Sequence, residues 1–261
     1  MARVTVGGLP AWLDAAQLLG PGDWVPTEDG HAAELPTEVA AALDARLRGV
    51  VLGGERVVVT VRPPLKRPAV RAARLEDARR RRDTTPGFDR PGTRLDDEGR
   101  WSLTPAALAL ALGRRAGGVT VFDACCGCGG NAIGFARAGC RVVAVERDGA
   151  RLDLARHNAR VYGVSDRIRF VVGRAEDHAL AAGADLWFVD PPWMVEGVVA
   201  TSVAALPPLG DLLALPHPRV WVKVPPAFPP AALGGAVRAW FGEAEGDQRR
   251  VKFLLVDLPP R

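Results

Sequence analysis

From Val119 onward, apolar strand-like runs alternate with helix-like segments. The strands read VTVFDA, RVVAVE, IRFVV, ADLWFVD and RVWVKV, and between them lie stretches such as GNAIGFARAG and ARLDLARHNARVYG. Alternating β and α units can bury their apolar faces only by winding helices over both sides of a parallel sheet. The last two apolar runs, AVRAWFG and RRVKFLLVDL, are separated by EAEGDQ alone. That link is too short for a crossover, so this pair is antiparallel. The pattern predicts an α/β fold: a doubly wound, mostly parallel, seven-stranded Rossmann-like sheet with a C-terminal antiparallel hairpin.

The N-terminal part has a different rhythm. PAWLDAAQLL and PTEVAAALDARLRGVV carry helical apolar spacing, with Pro36 and Thr37 at a helix start, and ERVVVTV reads as a strand closed by Pro63 and Pro64. DTTPGFDRPGTRLDDEG is rich in turn formers and reads as a connector. WSLTPAALALALGRR resumes a helix, with Thr104 as N-cap and Pro105 at its first position. We expect a small α+β annex with a basic linker over 1–92 and the wound sheet over 93–261.

No apolar run reaches the ~18 residues of a membrane span, and the N-terminus lacks the apolar core of a signal peptide. A soluble, cytoplasmic protein with no membrane association is the expectation. Cys125, Cys126 and Cys128 crowd one turn, with Cys140 beyond. They have no second Cys-x-x-C pair, so small buried thiols are expected rather than a metal site.

Charge is unevenly placed. Residues 62–82 hold nine basic and two acidic side chains, while the rest of the chain holds 25 basic and 28 acidic. Arg79, Arg80, Arg81 and Arg82 form the densest stretch and are candidate contacts to a polyanion such as RNA. A solvated helix face is the competing reading. No obligate protein partner is evident.

Two motifs carry chemistry. In VFDACCGCGGN, Gly127, Gly129 and Gly130 permit a tight turn and close backbone approach to a ligand, and Asn131 opens the following helix. Glu146 ends the next strand, where an acid accepts the hydroxyls of a ribose. A nicotinamide dehydrogenase would place these groups similarly. Asp123, just before the loop, adds a carboxylate able to meet a ligand's ammonium, which favours S-adenosyl-L-methionine. After the third strand an acidic side chain should meet the adenine amine. Arg174 stands there instead, with Glu176 or Asp177 able to take over.

The second motif is FVDPPWM, at the carboxyl edge of the fourth strand. Ligands of open α/β sheets bind at this edge. Asp190 and the carbonyl of Pro191 can accept the two hydrogens of an exocyclic amine on a base. Both bonds favour a pyramidal nitrogen whose lone pair points at a methyl donor. Trp193 offers a flat face on which a base stacks.

Together with GTRLDDEGRWSLTP and LARHNARVYGVSDRI, these motifs resemble the trimethylguanosine synthase family, the RNA cap guanosine-N2 methyltransferases of the class I fold. The resemblance covers about residues 93–192. It implies S-adenosyl-L-methionine held by Asp123, the glycine loop and Glu146, with Ser102 and Thr104 near it and Trp193 stacked on a guanine-type base. Asp190 itself is similar to the acidic form of the motif in adenine-N6 and cytosine-N4 methyltransferases. The function expected is methylation of an exocyclic amine of an RNA base, guanine N2 favoured. The alternatives are a DNA base or small amine-bearing molecule as substrate, or a non-catalytic nucleic-acid-binding protein on the same fold.

Overall fold

The chain divides into two units in a computed structural model that describes residues 1–195 and 197–261. One unit comprises Met1–Thr84 with Pro226–Pro230 and Arg238–Leu254, and the other comprises Thr85–Pro225 with Ala231–Val237 and Leu255–Arg261. The break therefore falls at residue 84 rather than 92, and C-terminal residues that the sequence pattern grouped with the wound sheet join the N-terminal unit. Such long-range partnership leaves no local mark in a sequence.

In the N-terminal unit, β1 (Ala2–Gly7), β2 (Val25–Thr27), β3 (Gly30–Leu35) and β6 (Val58–Arg62) form an antiparallel sheet in the order β2-β3-β1-β6. β1 alternates cleanly, so Ala2, Val4 and Val6 point into a core shared with Leu43 and Leu47 of α2 (Thr37–Leu47). The helix expected over PAWLDAAQLL is confined to α1 (Ala15–Leu19). Asp14 caps α1 by accepting from the Gln17 amide at 3.0 Å, while Leu13 donates back to Pro10 in a separate turn. The run ERVVVTV is broken as well. β4 (Val51–Leu52) pairs with β5 (Glu55–Arg56), and Val57 leaves the ladder to donate to Val50. The arginine-rich stretch is α3 (Arg67–Arg80), which has no buried residue.

The second unit opens with a connector that runs to α4 (Gly99–Ser102) and α5 (Ala106–Ala116). The helix expected to start at Thr104 starts later. Pro105 occupies the N-cap with ψ 137°, where its hydrocarbon ring offers no cap bond, and the Thr104 hydroxyl accepts from Lys223 instead. The wound sheet is assembled from β7 (Thr120–Asp123), α6 (Gly130–Arg137), β8 (Arg141–Glu146), α7 (Gly149–Tyr162), β9 (Ile168–Val172), α8 (Ala175–His178) and β10 (Leu186–Val189). A two-stranded hairpin of β11 (Met194–Val195) and β12 (Val198–Val199) follows, then α9 (Leu209–Ala214), β13 (Arg219–Val224), β14 (Ala236–Phe241) and β15 (Val251–Leu258).

The seven strands run β14-β15-β13-β10-β7-β8-β9, and the ladders among β7, β8, β9, β10 and β13 are parallel. Gly242 donates to Arg250, and Gly235 lies against Asp257, so β14 and β15 run antiparallel as expected. The order reverses beside β7, which places the β7 and β10 ends at the topological switch point. α5 packs tightly on α6 because Gly113 and Gly134 face each other. A Cβ on Gly134 would lie 2.4 Å from the Ala109 carbonyl carbon. Among the described residues, no helix is long and apolar enough to cross a membrane.

Candidate active site

The loop after β7 is shaped by its glycines. Gly127 and Gly129 have φ of 51° and 92°, which only glycine adopts without strain. A Cβ on Gly129 would approach Ala155 of α7 at 3.1 Å. The loop is tied at both ends, with the Cys126 amide donating to Val145 and the Gly129 amide to Cys126. The connector is fastened to the same place by Asn158, a fully buried side chain of α7. Its amide nitrogen donates to the carbonyls of Arg94 and Cys128 at 2.8 and 2.9 Å, and its oxygen accepts from the Arg94 amide.

Two acids flank this loop in opposite states. Glu146 accepts from the Gly127 amide through Oε2 at 3.0 Å and from the Asp148 amide through Oε1 at 3.1 Å. Each oxygen keeps a lone pair for a ligand hydroxyl. Asp123 is wholly buried, and neither of its carboxyl oxygens makes a hydrogen bond of normal geometry, although the Cys125 backbone amide is close enough to favour its charged form. Burial pushes its pKa up to about 8. The charge of Asp190 adds to the rise, while the Cys125 amide and Lys223 oppose it. An orphaned buried carboxyl is rare and costs free energy until something pairs with it. The pair fits a ligand that presents an ammonium to Asp123 and vicinal hydroxyls to Glu146.

The acid–Pro–Pro–Trp corner follows β10. Asp190 accepts from Asn131 Nδ2 at 2.9 Å and from Lys223 Nζ at 2.7 Å, both through Oδ2. Pro191 is buried and Trp193 half-buried. The Trp193 indole N–H donates to the Lys223 carbonyl at 3.3 Å, and the Lys223 ammonium lies 4.8 Å from the indole centroid. The same ammonium donates to Thr104 Oγ1 at 2.7 Å. Thus Thr104, Asp190 and Trp193, with Asn131 joined through Asp190, come together through a lysine that motif reading did not single out. The signal was present: one of three lysines in the chain sits inside RVWVKV, a strand whose residues from Val220 on are buried. A cation in such a run requires a partner.

Other expected residues are placed less centrally. Glu176 opens α8 and forms an ion pair with Arg174, the residue standing where an acid was sought. Arg79, Arg80, Arg81 and Arg82 are exposed at the end of α3, the first three paired with Glu76 or Asp77. All four cysteines are free, and burial raises each thiol above its ordinary pKa.

A wound sheet of this order, β14-β15-β13-β10-β7-β8-β9 with its ligand edge at the β7 and β10 ends, defines a Rossmann-like α/β class. Residues 118–198 match the family model described as RNA cap guanine-N2 methyltransferase. Among curated relatives, the trimethylguanosine synthase of Schizosaccharomyces pombe is 35% identical over 112 residues, 39% of this chain and 46% of that protein. The 23S rRNA (uracil(1939)-C(5))-methyltransferase RlmD of Acidithiobacillus ferrooxidans is 35% identical over 89 residues, 32% of this chain and 20% of that protein. In both comparisons this chain spans less than half of the relative's length. Among solved structures, TrmN from Thermus thermophilus aligns with 62% of this chain and 50% of its own at 27% identity and a TM-score of 0.40.

Proposed function

We propose that this protein is an S-adenosyl-L-methionine-dependent RNA methyltransferase acting on an exocyclic amine, with guanine N2 the favoured atom. The observation that carries the proposal is the Asp190–Trp193 corner, with its carboxylate fixed through Oδ2 beside the orphaned acid of the glycine loop.

The cofactor, when bound, supplies an electrophilic methyl group on a sulfonium. Asp123 receives its ammonium, Gly127 and Gly129 let the loop backbone approach it, and Asn131 and Thr104 border it. Glu146 accepts from the ribose hydroxyls, and Glu176 lies at the strand edge toward the adenine. Asp190 and the Pro191 carbonyl accept the two amine hydrogens of the acceptor base. An amine nitrogen conjugated to a base is a weak nucleophile, and these two bonds localise its lone pair toward the methyl group. Trp193 stacks on the base, an interaction worth ~1–3 kcal/mol. Arg79, Arg80, Arg81 and Arg82 contact phosphate. The pairs of Arg79 and Arg80 with Glu76 are exposed and contribute little, so a phosphate displaces that acid readily.

A ring-carbon acceptor, as in the uracil-C5 relative, is less well served. It needs a nucleophile to activate the ring, and three of the four thiols of this chain are buried, while burial raises the pKa of all four, which disfavours the thiolate. The cap-type match of residues 118–198 supports guanine N2 over other amines.

Transfer of a tritiated methyl group to total RNA, DNA and protein, followed by nucleoside analysis, tests the proposal. Label in RNA as an N-methylated purine nucleoside supports it. Label confined to DNA or protein, or on a ring carbon, contradicts it.

A further inference from the structure

Lys223 is 3% exposed, in a strand whose neighbouring residues Val220, Trp221, Val222 and Val224 are at most 1% exposed. A buried ammonium is expensive unless paired, and a buried ion pair often stabilises no more than an apolar pair of similar volume. Stability alone therefore does not explain a lysine here. Its contacts point elsewhere, because they include both the acid and the indole of the acid–Pro–Pro–Trp corner. The ammonium holds Asp190 Oδ2 at 2.7 Å and stands 4.8 Å from the Trp193 centroid, while the carbonyl of the same residue accepts the Trp193 N–H at 3.3 Å. Thr104 accepts from the ammonium at 2.7 Å, anchoring it from the start of α5. Asn131 shares Oδ2 from the first turn of α6.

We propose that Lys223 is a positioning residue for the acceptor amine. Its ammonium, together with the Asn131 amide, takes up Oδ2 of Asp190 and presents Oδ1 to the amine, and its backbone carbonyl orients the indole on which the base lies. One residue thereby sets the angle between the hydrogen-bond acceptor and the stacking plate. Asp123, Glu146 and Asp190 all gather at this edge of the sheet, and the Lys223 cation opposes the rise in the Asp123 pKa that their repulsion adds to. This inference rests on the amine-methyltransferase reading of the site.

The test is a double-mutant cycle in single-turnover methyl transfer at saturating cofactor, using Lys223→Met, Asp190→Asn and the double variant, with cofactor affinity measured by calorimetry. Lys223→Met should lower kcat by about tenfold or more, the effect of a misplaced catalytic contact. Cofactor affinity should change by less than about threefold. The double variant should be no slower than Asp190→Asn, because Lys223 acts through that carboxylate. If Lys223→Met alone fails to fold with Asp190 left unpaired, the double variant lacks both charges and still provides the comparison. Wild-type turnover in Lys223→Met, or losses that multiply in the double variant, overturns the inference while leaving the amine reading intact. A wild-type protein that transfers no methyl group to any amine overturns the amine reading, and this inference with it.

Discussion

Asn131 Nδ2 donates to Asp190 Oδ2 across 2.9 Å, joining the helix that follows the glycine loop to the acid–Pro–Pro corner. The other side-chain atom, Asn131 Oδ1, is buried without a partner. One side chain thus borders both the glycine loop and the acid–Pro–Pro corner. Asn131→Ala is expected to slow methyl transfer by about tenfold, the order of one lost charge-assisted hydrogen bond. Single-turnover kinetics check this, and an unchanged rate in a folded variant removes Asn131 from the site.

Glu146 organises the loop and receives the ribose in this account. Glu146→Ala deletes two bonds to loop amides along with the ligand contacts. Cofactor affinity should fall by ~1.5–3 kcal/mol, the value of hydrogen bonds to a charged group. Calorimetric titration with S-adenosyl-L-methionine measures it, and wild-type affinity would misplace the cofactor.

Asp123 makes both stability and binding depend on pH. Its pKa of about 8 in the folded chain lies above the ordinary 3.8. Below about pH 4 both folded and unfolded states hold the proton. Between about pH 4 and pH 8 the unfolded chain releases it and the folded chain retains it, so this contribution to stability is lost as pH rises and levels off beyond 8. Asp123→Asn should therefore be more stable than wild type near pH 8, where the wild-type carboxyl is penalised by its burial. It should also bind cofactor poorly. Urea unfolding from pH 5 to 9 checks the sign, and parallel stability profiles contradict it. At pH 7, capture of the cofactor's ammonium should expel close to one proton. Calorimetry in two buffers of different ionisation enthalpy reads that number, and zero release contradicts the pairing.

What the sequence made legible is what its local spacing encodes. Asp123, the glycines, Asn131 and Glu146 lie on one strand–loop–helix–strand unit, and Asp190 to Trp193 form a continuous corner. Lys223 was hidden because its partners Thr104 and Asp190 lie far away in sequence and its neighbours read as ordinary strand. Thr104 reads as a helix cap from local sequence alone, since a threonine before a proline looks like one, whereas in the fold its hydroxyl accepts from a buried ammonium. The fold class followed from the β/α alternation. The transfer of residues 238–254 to the N-terminal unit did not, because it depends on tertiary contacts alone.

The four arginines from Arg79 to Arg82 give a prediction that depends on salt. Replacing them with glutamine should weaken RNA binding across all sequences and reduce the steepness of log K against log salt, by up to about four phosphate equivalents. Filter binding from 50 to 300 mM salt checks this. Unchanged affinity, or a loss confined to one RNA sequence, returns the stripe to a solvated face.

The central claim is that Asp190 and Trp193 present a base amine to the methyl donor. RNA methylated by the protein with a deuterated-methyl cofactor, digested to nucleosides and analysed by mass spectrometry, tests it most directly. The account predicts a single labelled nucleoside with the methyl group on an exocyclic nitrogen, guanine N2 foremost. Its yield should collapse in Asp190→Ala and in Trp193→Ala, and Trp193→Phe should retain part of it. Label on a ring carbon or a ribose oxygen, or full yield in Asp190→Ala, contradicts the claim.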